Sequence, residues 1–339
     1  MKKRALKFLC TAMMIAMTAS VGWADKLDEI KARGTIKAGI HPGKAGFSTP
    51  DTKGQWEGFD IDFIKALAAA ILKDSTKVEY VAMSSKNRLT ALSSGEIDVL
   101  NRATTFSATR DNNNGVDTTA VWIYDGQGFL VRKSLGVTSA KELDGATLCV
   151  SPGTTSERNI NDYFAENKME YKAMVLSGSA EVVAAYENGR CDCITNDAFS
   201  LAAKRLAMKK PDEHMILPDI ISKEPLGPYV RQGETRLREV VTWLVHALVA
   251  AEELGITQAN VDGMAKNGSA DVKRLLGSEG NIGAGFGLDN QWALRAIKAV
   301  GNYGEIFERN IGKGTPLGFE RGLNAQWKDG GLMYAYPFR

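Results

Sequence analysis

Ala91-Leu92-Ser93-Ser94-Gly95-Glu96-Ile97-Asp98-Val99-Leu100 and Ala185-Tyr186-Glu187-Asn188-Gly189-Arg190-Cys191-Asp192-Cys193-Ile194 are two versions of one unit, set 94 residues apart. In each, a run with helical spacing ends at a glycine, Gly95 or Gly189, and an aspartate, Asp98 or Asp192, falls within the apolar strand that follows. Glycine suits the left-handed conformation that closes a helix. The surrounding elements repeat in the same order. Before the first copy, residues 35–40 and 78–83 have strand character. Between them, residues 60–72 place Ile61, Ile64, Leu67, Ala68, Ile71 and Leu72 on one helical face, with Asp60 as the expected N-cap. Before and within the second copy, residues 147–150 and 171–176 read as strands, and 155–167 and 180–188 as helices. Two βαβαβ runs imply two α/β lobes, each a mostly parallel sheet flanked by helices.

Between the copies, Gly126-Gln127-Gly128-Phe129-Leu130-Val131-Arg132 is an extended stretch suited to a crossing between lobes. Glu224-Pro225-Leu226-Gly227-Pro228-Tyr229-Val230 is a second, bringing the chain back. Two crossings make a two-strand hinge, and a hinge between lobes implies a cleft that closes on a ligand. The expected divisions are 1–24 as an export signal, 25–130 as the first part of lobe 1, and 131–226 as lobe 2. Residues 227–339 then return to lobe 1 and add a C-terminal helical extension. That last part opens on the helical pattern of Leu237, Val240, Val241, Leu244 and Leu248, and the glycine-rich 280–287 reads as a loop.

The export signal rests on Lys2, Lys3, Arg4 and Lys7, an apolar run over 8–19, and small residues Gly22 and Ala24 before a cut expected after Ala24. The run is short of the ~20 residues that span a bilayer. The whole chain has 42 Lys+Arg against 40 Asp+Glu; the signal takes four bases and no acid, leaving 38 against 40. That balance gives no reason to expect a nucleic-acid partner. The expectation is a soluble periplasmic protein, monomeric as befits a diffusing carrier. Cys149, Cys191 and Cys193 follow the signal; in an oxidising compartment an odd number leaves one thiol over. His41, His214 and His246 stand at no ligand spacing to them, so neither a metal nor another cofactor is expected. GxSxG, HExxH and Walker patterns are absent from the sequence.

In open α/β sheets ligands bind beyond the carboxyl ends of the strands. After the strand at 97–100 come Thr105, Ser107 and Arg110, two hydroxyls and a guanidinium able to surround one carboxylate. Pairing of Arg110 with a surface acid such as Asp111 is the plainer alternative. The equivalent loop of the second lobe carries Asp197, either an ammonium ligand or only a helix cap. Ser151-Pro152-Gly153-Thr154-Thr155-Ser156 opens a helix, where free N–H groups favour an anion. A carboxylate site and an ammonium site at equivalent places in two lobes describe the invariant part of an α-amino acid.

Over stretches 45–48, 58–63, 92–100, 104–110, 124–131, 148–155, 189–192 and 224–230, the chain resembles the polar amino-acid-binding proteins of ABC transporters, solute-binding protein family 3, and in particular the long general L-amino-acid-binding subfamily. The resemblance implies a type II periplasmic-binding-protein fold. It also implies capture of free L-amino acids, several kinds of them, for delivery to the membrane permease subunits of an ABC transporter, without enzymatic activity. It assigns Arg110, Ser107 and Thr105 to the ligand carboxylate, Asp197 to its ammonium, and the loop with Thr154 and Thr155 to an anion contact across the cleft. Phe47 is similar to an aromatic that lines the cleft. At Ser85 relatives carry a second aromatic; a serine there implies a more open side-chain pocket. The subfamily is also similar at Cys149 and Cys191, which implies a disulfide between them, with Cys193 the other possible partner. A dehydratase of prephenate-like acids and an amino-acid sensor share the fold and are the alternatives.

Overall fold

The structure is a computed structural model that describes residues 25–339. The export signal and its cleavage point lie outside the described residues.

Two five-stranded sheets carry the molecule. The first runs Val78–Ala82, Ile36–Ile40, Val99–Leu100, Tyr229–Arg231, Val116–Thr118. The second runs Tyr171–Val175, Ala146–Val150, Cys193–Asp197, Gln127–Arg132, His214–Ile216. In each, the first three strands are parallel and the fourth is antiparallel to both its neighbours. Each fourth strand comes from across the hinge, so each lobe is completed by chain that has just left the other.

The paired aspartates explain why the sequence repeats. Asp98 Oδ2 accepts from Lys37 N at 2.8 Å, and Asp192 Oδ2 accepts from Thr147 N at 2.7 Å. Each stands just before its strand rather than inside it, and satisfies the N–H of the second residue of the neighbouring strand. Gly95 and Gly189, at φ 81° and 73°, supply the left-handed turn that delivers them.

The crossings are Ile123–Asp125 and Glu224–Leu226, which pair antiparallel as a two-stranded ribbon. The stretch after the first crossing, Gln127–Arg132, already belongs to the second sheet. The helix Phe59–Leu72 is capped not by Asp60 but by Gly58, at φ 127°, where a Cβ would lie 2.3 Å from the Phe47 carbonyl carbon. Asp60 is thereby buried in the first turn. Residues 280–287 contain one helical turn, Ile282–Gly285, rather than only loop.

The C-terminal extension packs on lobe 1. Trp292–Val300 lies against Phe59–Leu72, and Arg295 donates to Ala69 O and Ala70 O, at 3.1 and 3.2 Å, satisfying carbonyls that the helix end leaves open. Phe59, Trp122 and Tyr303 lock this core, with Trp122 4.7 Å from Phe59 and 5.1 Å from Tyr303. Among the described residues no helix is long and apolar enough to cross a membrane.

Cys149 and Cys191 form a disulfide, with Cα atoms 5.8 Å apart, and Cys193 is a buried free thiol. Side-chain alternation explains the choice. Cys149 and Cys191 meet in the core on one face of the second sheet, while Cys193 points into the core on the other. Thiol titration of the unfolded, unreduced mature chain should give one thiol, rising to three on reduction; three beforehand would rule the bridge out. Replacing Cys149 and Cys191 together by alanine should lower stability by about 4 kcal/mol, as expected for a bridge across 42 residues of sequence.

Candidate ligand site between the lobes

The carboxyl ends of both sheets face a cavity of about 210 Å³. At ~10–15 Å³ per water-sized occupant, it has room for a free amino acid. Lobe 1 contributes Lys44, Ser85, Arg88, Arg102 and Thr105 to its wall, and lobe 2 contributes Thr154, Thr155, Asn196, Asp197 and Lys204.

Five of the residues singled out in the sequence therefore meet here: Ser85, Thr105, Thr154, Thr155 and Asp197. Three stand behind the wall. Phe47 is fully buried in the core, its ring 5.9 Å from both Phe59 and Phe199, with Lys44 Nζ 3.9 Å above its face. Ser107 caps the helix Ala108–Asn113, its hydroxyl accepting from Arg110 N at 3.3 Å. Arg110 is buried and donates through Nη1 to Thr105 O at 2.8 Å, a carbonyl that also accepts from the Tyr229 hydroxyl at 2.6 Å. In this arrangement the guanidinium holds the backbone of Thr105 in place.

Asp197 sits at the start of the helix Ala198–Leu206, yet its side chain makes no capping bond. Its carboxylate is instead part of the cavity wall. Burial raises its pKa, and Glu224 adds to the effect, while Lys44, Arg88 and Lys204 oppose it. In the facing loop Thr154 caps Thr155–Glu166, accepting from Glu157 N at 3.2 Å. Gly153 N donates to Glu157 Oε2 at 2.9 Å. That N–H, expected to be free for an anion, is engaged within the loop.

Two features escaped sequence reasoning. The first is Glu224 on the returning hinge strand, only 1% exposed. Its Oε2 accepts from Thr105 of lobe 1 and from Thr155 of lobe 2, the latter at 2.9 Å, and its Oε1 accepts from Ser222 at 2.6 Å and Asn159 at 2.9 Å. The second is the cationic wall. Lys44, Arg88, Arg102 and Lys204 are all less than a tenth exposed. Burial lowers each of them, Lys204 to about 8 and Arg102 to about 10. Their signal in sequence was position alone: Arg102 and Arg88 follow strands whose carboxyl ends face the cleft.

Two α/β lobes, a two-strand hinge and a charged cavity between them define a binding protein that closes around a small solute. The chain belongs to the bacterial extracellular solute-binding proteins, family 3, whose pattern matches residues 36–259. It is 52% identical, over the full length of both chains, to the general L-amino acid-binding periplasmic protein AapJ of Rhizobium johnstonii. It is 50% identical, again over both full lengths, to the glutamate/glutamine/aspartate/asparagine-binding protein BztA of Rhodobacter capsulatus. Among solved structures it is similar to an ABC transporter periplasmic binding protein of Brucella ovis with glutathione bound. The TM-score is 0.91 at 52% identity, covering 93% of this chain and all of that one. These relatives are solute-binding proteins and not enzymes, which favours the carrier reading over the dehydratase.

The buried acids behind the wall make stability depend on pH. Burial pushes Asp60 from the ordinary 3.8 up to about 6, against the pull of Lys44 and Arg102. Between those values the folded protein keeps a proton that the unfolded chain has released, so this group withdraws stability as pH rises through that window. Asp60→Asn should therefore gain stability relative to wild type between pH 4 and pH 6.5, by up to about 3 kcal/mol. Paired urea titrations at the two pH values measure the gap; a gap indifferent to pH would contradict the burial argument.

Proposed function

We propose that the protein is exported to the periplasm and binds several kinds of free L-amino acid between its lobes. It then presents the closed form to the permease subunits of an ABC transporter. The observation that carries this reading is Asp197, a carboxylate with no capping role, set in a wall whose polar groups are otherwise mainly hydroxyls and cations. An acid for the ammonium and a donor-rich surface for the carboxylate are what a zwitterionic ligand needs. The full-length relatives AapJ and BztA, which bind amino acids, support it.

In this reading Thr105, Thr155 and Ser85 contact the ligand directly. Arg110 and Ser107 hold the carboxylate-binding loop in place, and Phe47 supports the wall from beneath. Thr154 shapes the entry of the lobe 2 helix. The signal is removed after Ala24, and the mature carrier works as a monomer. The lobes rotate about the two hinge strands, so that the ligand is enclosed by lobe 2 after meeting lobe 1.

The test is isothermal titration of the mature protein, unfolded and refolded to remove co-purified ligand, against a panel of L-amino acids, one D-enantiomer and a sugar. Several L-amino acids should bind and the sugar should not. Asp197→Asn should weaken binding about 30-fold or more, the range seen when one partner of a buried charge pair is lost. Arg110→Ala should abolish measurable binding while the chain still unfolds cooperatively. Full affinity in either variant would sink its assignment, and a panel with no amino-acid ligand would sink the carrier itself.

A further inference from the structure

The helix Ala198–Leu206 opens without help from the residue before it. An aspartate in that capping place ordinarily accepts from the N–H two or three positions on, here Phe199 or Ser200. Asp197 makes no such bond. The helix start is held from the hinge instead. Ala198 N donates to Gly126 O at 2.8 Å, and Phe199 N donates to Asp125 Oδ2 at 3.2 Å. These are two of the four N–H groups that a helix leaves without internal partners.

Asp125 closes the crossing strand Ile123–Asp125, opposite Glu224 in the ribbon, and its Oδ1 accepts from Gly126 N at 2.8 Å. It is not among the residues of the cavity wall, whereas Asp197 is. Without Asp125 the Phe199 N–H would be open, and the Asp197 carboxylate stands where an aspartate commonly fills it. Filling it would draw that carboxylate off the wall. Charge agrees with the geometry. Burial pushes Asp125 up to about 8, with Asp197 adding to the effect and Lys44 opposing it. Near neutral pH Asp125 therefore holds a proton, and the negative charge of the pair is left on the carboxylate that lines the cavity.

We propose that Asp125 is a positioning residue for ligand binding: by capping Ala198–Leu206 from the hinge, it frees the Asp197 carboxylate to meet the ligand's ammonium. The inference rests on the reading of Asp197 as the ammonium ligand and explains what keeps it available. It also ties the aim of Asp197 to the first crossing strand. The ammonium site in the second lobe is then set by the chain that enters from the first.

The test is a double-mutant cycle on the refolded mature protein at neutral pH, read by isothermal titration. The probe is whichever of L-glutamine, L-glutamate, L-leucine and L-arginine the wild type binds most tightly. Asp125→Ala should weaken its binding about tenfold, while Asp125→Asn, which keeps a neutral acceptor for Phe199 N, should stay within about threefold of wild type. In the Asp125→Ala background Asp197→Asn should cost no more than about threefold, against about 30-fold on its own. Wild-type affinity in Asp125→Ala, or the same Asp197→Asn penalty in both backgrounds, overturns the proposal. So does an equal loss in Asp125→Ala and Asp125→Asn. A role in folding alone would lower the urea midpoint and leave the cycle additive. Asp125→Leu, which fills the space without an acceptor, replaces Asp125→Ala should that variant not fold. Failure of both to fold assigns Asp125 to the fold and overturns the proposal as well. Full affinity in Asp197→Asn alone, or no binding of any of the four, sinks the underlying ammonium or carrier reading instead.

Discussion

Glu224 is a carboxylate with almost no contact with water, placed where the chain recrosses from the second lobe to the first. Burying such a group costs several kcal/mol unless its lone pairs are filled. Here they are filled from both sides: Thr105 from lobe 1, Thr155 and Asn159 from lobe 2, and Ser222 from its own strand. The consequence reaches beyond the hinge. Thr105 begins the loop that Arg110 and Tyr229 brace through its carbonyl, and Thr155 begins the helix Thr155–Glu166. A single acid thus sets the position of one cavity wall relative to the other, and any opening of the lobes must exchange these bonds for water.

The same economy governs the cleft. Desolvated cations around the cavity, partly offset by acids behind them, are a poor design for stability, because apolar residues of similar volume would cost less. Their retention makes sense as preorganisation. A cation already stripped of water and seated on the first-lobe core, as Lys44 is on Phe47, is fixed positive charge that an incoming anion meets without further reorganisation. Lys44 illustrates the point: its ammonium rests on the face of Phe47, which partly offsets its desolvation, and it has no hydrogen-bond partner among the described residues.

How far this was legible in sequence follows from what pattern encodes. The paired units ending at Gly95 and Gly189 disclosed two lobes because periodicity and turn chemistry are local, and Asp98 and Asp192 do the same job in each. Asp197 and the threonines were legible because they lie in loops after strands, where ligands bind. Phe47 was read onto the cleft wall, but burial is decided by neighbours far away in sequence: Phe199 arrives from lobe 2 and Phe59 from the following helix. Arg88, Arg102 and Glu224 went unremarked for the same reason. Nothing local distinguishes a buried charge from a solvated one, and only the hinge and the closed wall make these three what they are.

The C-terminal extension then has a part in the cleft, although it lines none of it. Asn324 accepts from Tyr124 N at 2.7 Å and donates to Tyr124 O at 2.9 Å, engaging both backbone groups of a hinge residue. Phe319, on the same extension, lies 4.2 Å from Phe199 at the root of the lobe 2 helix that starts after Asp197. A segment anchored to lobe 1 therefore grips one hinge strand and touches the second lobe beside Asp197. Rotation about Ile123–Asp125 must proceed against that grip, so the extension confines the hinge motion to a narrower path than two free strands would allow. Added length in this chain serves closure as well as the first-lobe core.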